Sequence, residues 1–349
     1  MSDFANRLIA WQKVHGRHDL PWQNTTDPYA IWVSEIMLQQ TQVSAVIGYY
    51  SKFMLRFPTI SALANATQDE VLQHWSGLGY YSRARNLHNA AQTIINEHGG
   101  LFPQDFDTIQ TLSGIGRSTA AAIASFAFNQ VQTILDGNVK RVLARHFLVE
   151  GWPSAPKVEK ELWELAEKLL PMQNMVTYTQ GLMDLGATIC TRSKPKCTSC
   201  PLSNTCEAYK HQRADELPTP KPRKVIPEKN ITMLIFLRGN EVMLEKRPST
   251  GIWGGLWSFP EVETNHQVES FVLNRFSIIA KAGNTLPMLS HSFTHFKLHI
   301  QPQTLQVIKL GAKVGESGQM WIAVEDAIDA AIPTPVRKIL KLLQNKNFN

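Results

Sequence analysis

The sequence predicts a mainly α N-terminal half joined through a proline-rich hinge to a smaller α+β C-terminal half. Three observations predict it. Residues 1 to about 210 carry helix-compatible apolar runs separated by short Gly, Pro and Asn turns. From Arg213 to Lys229 the chain places Pro218, Pro220, Pro222 and Pro227 among Lys221, Arg223, Lys224 and Lys229. Prolines that dense cannot occupy a helix interior, so an extended basic linker is expected. Beyond it the texture turns strand-like. A chain of 349 residues also exceeds one ordinary domain. The expected division is a domain over 1–212, a linker over 213–229 and a second domain over 230–349.

The elements follow in order. Asp27-Pro28 sets a capping residue before a proline at the first helical position, and Tyr29 to Met54 continues with helix-compatible residues. Ser61-Ala62-Leu63, Asp69-Glu70-Val71-Leu72 and Lys157 to Leu170 extend the pattern, with Pro58, Pro103, Pro153 and Pro171 as punctuation. In the second half Ile231 to Leu237 and Val242 to Leu244 read as strands around the turn Arg238-Gly239-Asn240-Glu241. His295 to Val307 is a further strand candidate, and Pro335 to Leu343 a closing helix.

Composition bounds the class. Apolar residues make up 43% and charged residues 18%, as in soluble globular proteins. The net charge of +6 favours polyanions only weakly. The opening Met1-Ser2-Asp3-Phe4-Ala5-Asn6-Arg7 lacks a basic segment followed by an apolar core, so no secretory signal is expected. No run reaches the ~18 apolar residues of a spanning helix. A cytoplasmic, reducing location without membrane association is expected, and nothing suggests an obligate dimer, so a monomer is expected.

All four cysteines, Cys190, Cys197, Cys200 and Cys206, fall within one C-x6-C-x2-C-x5-C stretch. Such crowding points to one four-thiolate site, either an iron–sulfur cluster or structural zinc. Zinc ribbons usually offer two separated C-x2-C pairs, and this uneven wrap suits a cluster better. Disulfides are disfavoured by the expected compartment. Arg192, Lys194 and Lys196 lie between the first two cysteines and suit phosphates.

Leu112-Ser113-Gly114-Ile115-Gly116-Arg117-Ser118 is a Gly-x-Gly turn running into an Ala-rich helix. Either it is a plain helix–helix turn, or bare N–H groups of Gly114 and Gly116 receive a phosphate. Downstream, Asp136 in Ile134-Leu135-Asp136-Gly137-Asn138 reads as a helix N-cap. An N-cap carboxylate is expected to stay ionised, held by backbone N–H groups. Glu35, in Trp32-Val33-Ser34-Glu35-Ile36-Met37-Leu38, has apolar neighbours; burial there would raise its pKa, while an exposed polar stripe would not. Two carboxyls pushed in opposite directions are what acid-assisted glycosidic cleavage needs. Leu38-Gln39-Gln40-Thr41-Gln42 is polar where a helix should stay apolar. Trp75-Ser76-Gly77-Leu78-Gly79-Tyr80-Tyr81 is a Gly-flanked aromatic loop. Side chains at such tips suit wedging into a base stack, although a core role is preferred for Tyr81.

Leu20-Pro21-Trp22, Trp32 to Val43, Gly77 to Leu87, Leu112 to Ala120, Ile134 to Arg145 and Met183 to Cys206 together resemble the MutY-type adenine DNA glycosylases of the endonuclease III-like helix–hairpin–helix superfamily. The resemblance implies a two-lobed helical fold and a [4Fe-4S] cluster on Cys190, Cys197, Cys200 and Cys206. It also implies action on double-stranded DNA at adenine opposite 8-oxoguanine or guanine, hence nucleoid association. By resemblance, Glu35 is the acid at adenine N7. Asp136 stabilises the sugar oxocarbenium, by charge or a transient covalent acetal, with Asn138 in support. Gln40, Leu78 and Tyr80 match residues that insert into the duplex or stack beside 8-oxoguanine, Thr41 of the polar run is a further DNA-binding candidate, and Leu20, Trp22 and Gln180 match the adenine pocket. Ser118 stands where bifunctional relatives carry a lysine that forms a Schiff base, so no efficient lyase step is expected.

Gly251-Ile252-Trp253-Gly254-Gly255-Leu256-Trp257-Ser258-Phe259-Pro260 is similar to the opening of a Nudix domain. The following Glu261-Val262-Glu263-Thr264-Asn265-His266-Gln267 lacks the Arg-Glu-x-x-x-Glu-Glu metal helix, so recognition of 8-oxoguanine rather than hydrolysis is expected. Phe293-Thr294-His295 stands where the family carries Phe-Ser-His. Two rivals are an endonuclease III-type glycosylase/lyase on oxidised pyrimidines and a non-catalytic iron–sulfur DNA-binding protein.

Overall fold

The computed structural model describes residues 2–222, 225–263, 268–311 and 318–345. Arg223 and Lys224 of the expected linker, and Thr264 to Gln267 of the missing metal motif, lie outside the described residues. The chain forms two compact units, residues 1–65 with 86–223, and residues 66–85 with 224–349.

The first unit is helical. Asp27 caps the helix Pro28–Leu38, its carboxylate accepting from the Tyr29 N–H at 3.0 Å, with Pro28 at the first helical position. The run expected to continue to Met54 instead breaks at Gln39 to Gln42 and resumes as Val43–Arg56. The four polar residues are the break, and Gln40 turns the chain with φ +55°. The core of this unit gathers Leu8, Ile134, Val139, Leu143, Leu162, Tyr178 and Leu185. Each such buried side chain contributes about 1.5–3 kcal/mol relative to exposure.

The proline-rich stretch is seated at its start. Leu217 is buried, its carbonyl accepting from Arg145 Nε at 2.8 Å, and Thr219 Oγ1 accepts from the Gly151 N–H at 3.0 Å.

The second unit holds a mixed sheet of eight described strands. They are β1 (Glu228–Arg238), β2 (Glu241–Lys246), β3 (Trp257–Ser258), β4 (Glu261–Glu263), β5 (Ile278–Thr285), β6 (Leu289–Ser292), β7 (Lys297–Leu310) and β8 (Gln319–Ala323). The turn at Arg238–Glu241 closes β1 on β2, as the sequence predicts. The path runs β3-β2-β1-β7-β5, with β1 and β7 parallel from Glu228↔Lys297 to Leu237↔Gln306. Phe236, Met243, Val272, Phe276 and Leu305 pack its core, and Thr334–Asn345 is the last described helix. Among the described residues, no helix is long and apolar enough to cross a membrane.

Candidate active site

Eight of the eleven residues of the helix Pro28–Leu38 are buried, which leaves Glu35 no polar stripe to belong to. It opens instead into a cavity of about 330 Å³, shared with Leu20, Trp22, Ser34, Phe126 and Gln180. That lies within the ~300–1,000 Å³ of small-ligand sites. Burial pushes the Glu35 carboxyl up to about 8, and the neighbouring Asp136 charge pushes the same way. No hydrogen bond among the described residues opposes the shift at Glu35. Trp22 is buried edge-on against Tyr50, with ring centroids 5.4 Å apart.

Asp136 caps the helix Gly137–His146, Oδ1 accepting from the Val139 N–H at 2.8 Å. Its carboxyl is nonetheless raised, because burial outweighs the Val139 and Asn138 N–H groups, the Arg141 charge and the Asn138 amide. The expectation of oppositely displaced carboxyls is thereby corrected: both move up, since capping donors do not replace lost water. What separates them is support, which Asp136 has and Glu35 lacks. Asp136 is not among the residues lining the cavity, but it is near enough to act on Glu35.

Ser118 holds the segment before Asp136, its Oγ accepting from the Leu135 N–H at 2.9 Å. Asn138 Nδ2 lies 3.5 Å from Asp136 Oδ2, and Asn138 Oδ1 accepts from Arg141 at 2.8 Å. Arg141 also donates to the carbonyls of Gly186 (2.7 Å) and Cys190 (2.7 Å), tying this cap to the cysteine loop. Gly186 lies in a π-helical turn, Leu185–Ile189, where a Cβ would fall 2.5 Å from Asn138 Cβ; only glycine allows that approach.

The sequence reading missed Arg141 as a link and missed Asp184. Asp184 is fully buried, pairs with Arg17 Nε at 2.7 Å and accepts from Gln180 Nε2 at 2.9 Å, so it fixes the Gln180 amide. A lone carboxylate in the apolar run Leu182-Met183-Asp184-Leu185 was the available signal.

Cys190, Cys197, Cys200 and Cys206 line one small cavity, walled otherwise by Val142, Leu185, Ile189 and Leu202 among others. Arg145, buried, donates to Cys190 Sγ at 3.4 Å and to the Thr191 carbonyl at 2.7 Å. Arg192, Lys194 and Lys196 are exposed beside it.

Gly114 turns the chain between the helices Phe106–Thr111 and Arg117–Phe128 with φ +81°, and a Cβ there would meet Asn86 Cβ at 2.8 Å. Gly116 is the N-cap of the second helix, without a side-chain cap. Gln40 is exposed, and Thr41 Oγ1 donates to the Gln39 carbonyl at 3.2 Å.

In the second unit, Tyr80, Phe293, Thr294 and His295 share a cavity of about 720 Å³ with Trp253 and Arg85. Two sites that the sequence leaves far apart thus come together. Tyr80 is 44% exposed, whereas Leu78 and Tyr81 are buried, Tyr81 with its hydroxyl accepting from the Gly77 N–H at 3.2 Å. Phe293 stacks on Phe296 at 4.6 Å, and Trp253 packs against Phe293 at 5.4 Å.

Residues 33–168 match the HhH-GPD superfamily base excision DNA repair protein family, and residues 231–342 match the NUDIX domain. An adenine DNA glycosylase of Buchnera aphidicola subsp. Acyrthosiphon pisum (strain APS) is 38% identical over 346 residues, 99% of this chain and 99% of that protein. The Mus musculus adenine DNA glycosylase is 34% identical over 402 residues, 98% of this chain and 78% of that protein. Among solved structures, a thermostable thymine-DNA glycosylase matches with a TM-score of 0.54 at 32% identity, covering 60% of this chain and 95% of that one. That solved structure covers 60% of the chain, but the match to the bacterial relative covers 99% of both proteins and so runs through both units: the chain belongs to the adenine DNA glycosylase family.

Proposed function

We propose that this enzyme hydrolyses the N-glycosidic bond of adenine opposite 8-oxoguanine or guanine in duplex DNA, as a monofunctional glycosylase. The observation that carries the reading is Glu35, a carboxyl raised to about 8 that opens into a cavity beside Asp136. An intact duplex hides the bond, so adenine must first leave the stack. Leu20 and Trp22 then offer apolar faces, and Gln180, held by Asp184, offers an amide to the base edge.

Glu35 still carries its proton at neutral pH and donates it to adenine N7. The C1′–N9 bond breaks with its electron pair leaving on the protonated base, and positive charge spreads over C1′ and O4′ of the sugar. That charge favours the ionised form of Asp136, which faces it as a counter-anion. Water adds to C1′ and gives a proton back to Glu35, leaving an abasic site and free adenine. Ser118 has no amine to form an imine, so the sugar–phosphate chain stays whole.

Three features support a [4Fe-4S] cluster at the cysteine loop: four thiols around one cavity, its apolar walls, and an Arg145 N–H on Cys190 Sγ to offset thiolate charge. When bound, the cluster supplies a rigid anchor for the loop presenting Arg192, Lys194 and Lys196 to phosphates. Purified protein is expected to show a broad absorbance band in the visible violet, with iron and sulfide in equal amounts. Stoichiometric zinc without that band would overturn the assignment. The cavity of Tyr80, Phe293, Thr294 and His295 suits the base opposite the adenine, and Thr294 keeps a hydroxyl for it.

One assay separates this reading from its rivals. A duplex carrying adenine opposite 8-oxoguanine is incubated with the protein, and strand breakage is followed with and without hot alkali. Breakage only after alkali is expected. Breakage without alkali indicates a lyase, and an intact strand in both arms indicates a non-catalytic DNA-binding protein.

A further inference from the structure

We propose that Arg337, on the helix Thr334–Asn345, positions the loop carrying Leu78 and Tyr80, and thereby sets the preference for 8-oxoguanine over guanine opposite the adenine. The inference rests on the function proposed above and assigns part of its specificity to a residue outside the cavity.

The loop holds an unfavourable conformation. Gly77 has φ +106°, Gly79 φ +81° and Tyr80 φ +48°, and Tyr80 lacks glycine's freedom there. Internal bonds account for part of its hold: the Gly79 carbonyl accepts from Trp75 Nε1 (3.1 Å) and Arg83 Nη2 (3.1 Å). Distant sequence adds to it. Ser76 is 6% exposed as a residue, and its hydroxyl donates to the Ile332 carbonyl at 2.7 Å and accepts from Arg337 Nη2 at 3.1 Å. Arg337 Nε in turn donates to the Ile328 carbonyl at 2.9 Å. Water cannot replace bonds at so buried a hydroxyl without reopening the packing. Asp69 anchors the other end of the preceding helix, Gln68–Trp75, by accepting from Lys246 and from the Trp257 indole at 3.1 Å.

Arg337 therefore clamps the residue immediately before Gly77 to the 328–332 segment. Its helix is fixed by buried Val336, Ile339, Leu340 and Leu343, so the clamp has a firm base. Tyr80, at the far end of the loop, lines the cavity of Phe293, Thr294 and His295. 8-Oxoguanine differs from guanine by one oxygen at C8 and one hydrogen at N7, so discrimination depends on small displacements of the groups around it. Arg337 is a positioning residue, acting through Ser76.

The test uses full-length Arg337→Met, Ser76→Ala and the double variant. Single-turnover adenine release is measured on duplexes with 8-oxoguanine and with guanine opposite the adenine. Arg337→Met is expected to lower the ratio of the two rates about three- to tenfold, the size of one net hydrogen bond. Ser76→Ala, which also loses the bond to Ile332, should lower it at least as far, and the double variant no further than Ser76→Ala, because Arg337 acts through Ser76. Destabilisation alone lowers both rates together and leaves the ratio unchanged. A wild-type ratio in Arg337→Met, or additive losses, would overturn the proposal. Wild-type enzyme without preference would fail the underlying reading first, before any variant is made.

Discussion

Glu35→Gln is expected to slow adenine release by about 10²–10⁴-fold while duplex binding persists, the range that a positioned general acid supplies. Glutamine keeps the shape of the side chain and its place among buried neighbours, but it has no acidic proton to give. Single-turnover release and a gel-shift titration separate the two effects. The same substitution has a stability signature. The Glu35 carboxyl titrates at about 8 in the fold against an ordinary value of 4.5, so between those values the folded state binds more protons than the unfolded chain. Stability drawn from this group is complete below about 4.5 and is lost as pH rises towards 8. Glu35→Gln removes that loss and is expected to melt higher than wild type at pH 8 but not at pH 4.5. Equal melting at both pH values, with full turnover, would remove Glu35 from the acid role.

Asp136→Asn is expected to cost about 10²–10³-fold in turnover, the loss seen when a preorganised electrostatic partner of the transition state is removed. Asparagine caps helices about as well as aspartate, so the bond from the Val139 N–H, 2.8 Å in the parent, has an acceptor still. Fold stability should change little, because the capping acceptor survives and the burial of a carboxylate is relieved. Asp136→Ala loses cap and charge together and should also destabilise by about 0.5–2 kcal/mol. Comparing melting temperature and single-turnover rate for the pair separates cap from charge. An Asn variant with wild-type turnover would reduce Asp136 to a cap.

Local signals were legible in the sequence where local chemistry decides the structure. Asp27-Pro28 and Asp136 announce helix starts, and both carry the expected caps. The turn at Arg238–Glu241 closes a hairpin because its two strands are adjacent in the chain. The crowding of the cysteines needs no fold to be noticed, and Glu35 betrays its burial through its neighbours. Long-range pairings left no such trace. Asp184 meets Arg17 across 167 residues, and the parallel register of β1 on β7 depends on strands some seventy residues apart. The seating of residues 66–85 with the C-terminal unit was equally hidden, since it involves Asp69 meeting Trp257 and Ser76 reaching Ile332 and Arg337. The Asp136 titration was misread for a related reason. Capping donors are visible in sequence, but the depth of burial that outweighs them is set by the whole fold.

The most direct measurement is the pH dependence of kcat/KM for adenine release, which reports the titration of groups in the free enzyme. With Glu35 holding its proton up to about 8, kcat/KM is expected to fall tenfold per pH unit above that value, and Glu35→Gln to lose this limb at a much lower rate. A limb that persists unchanged in Glu35→Gln, or a fall already complete near pH 5, would contradict Glu35 as the proton donor.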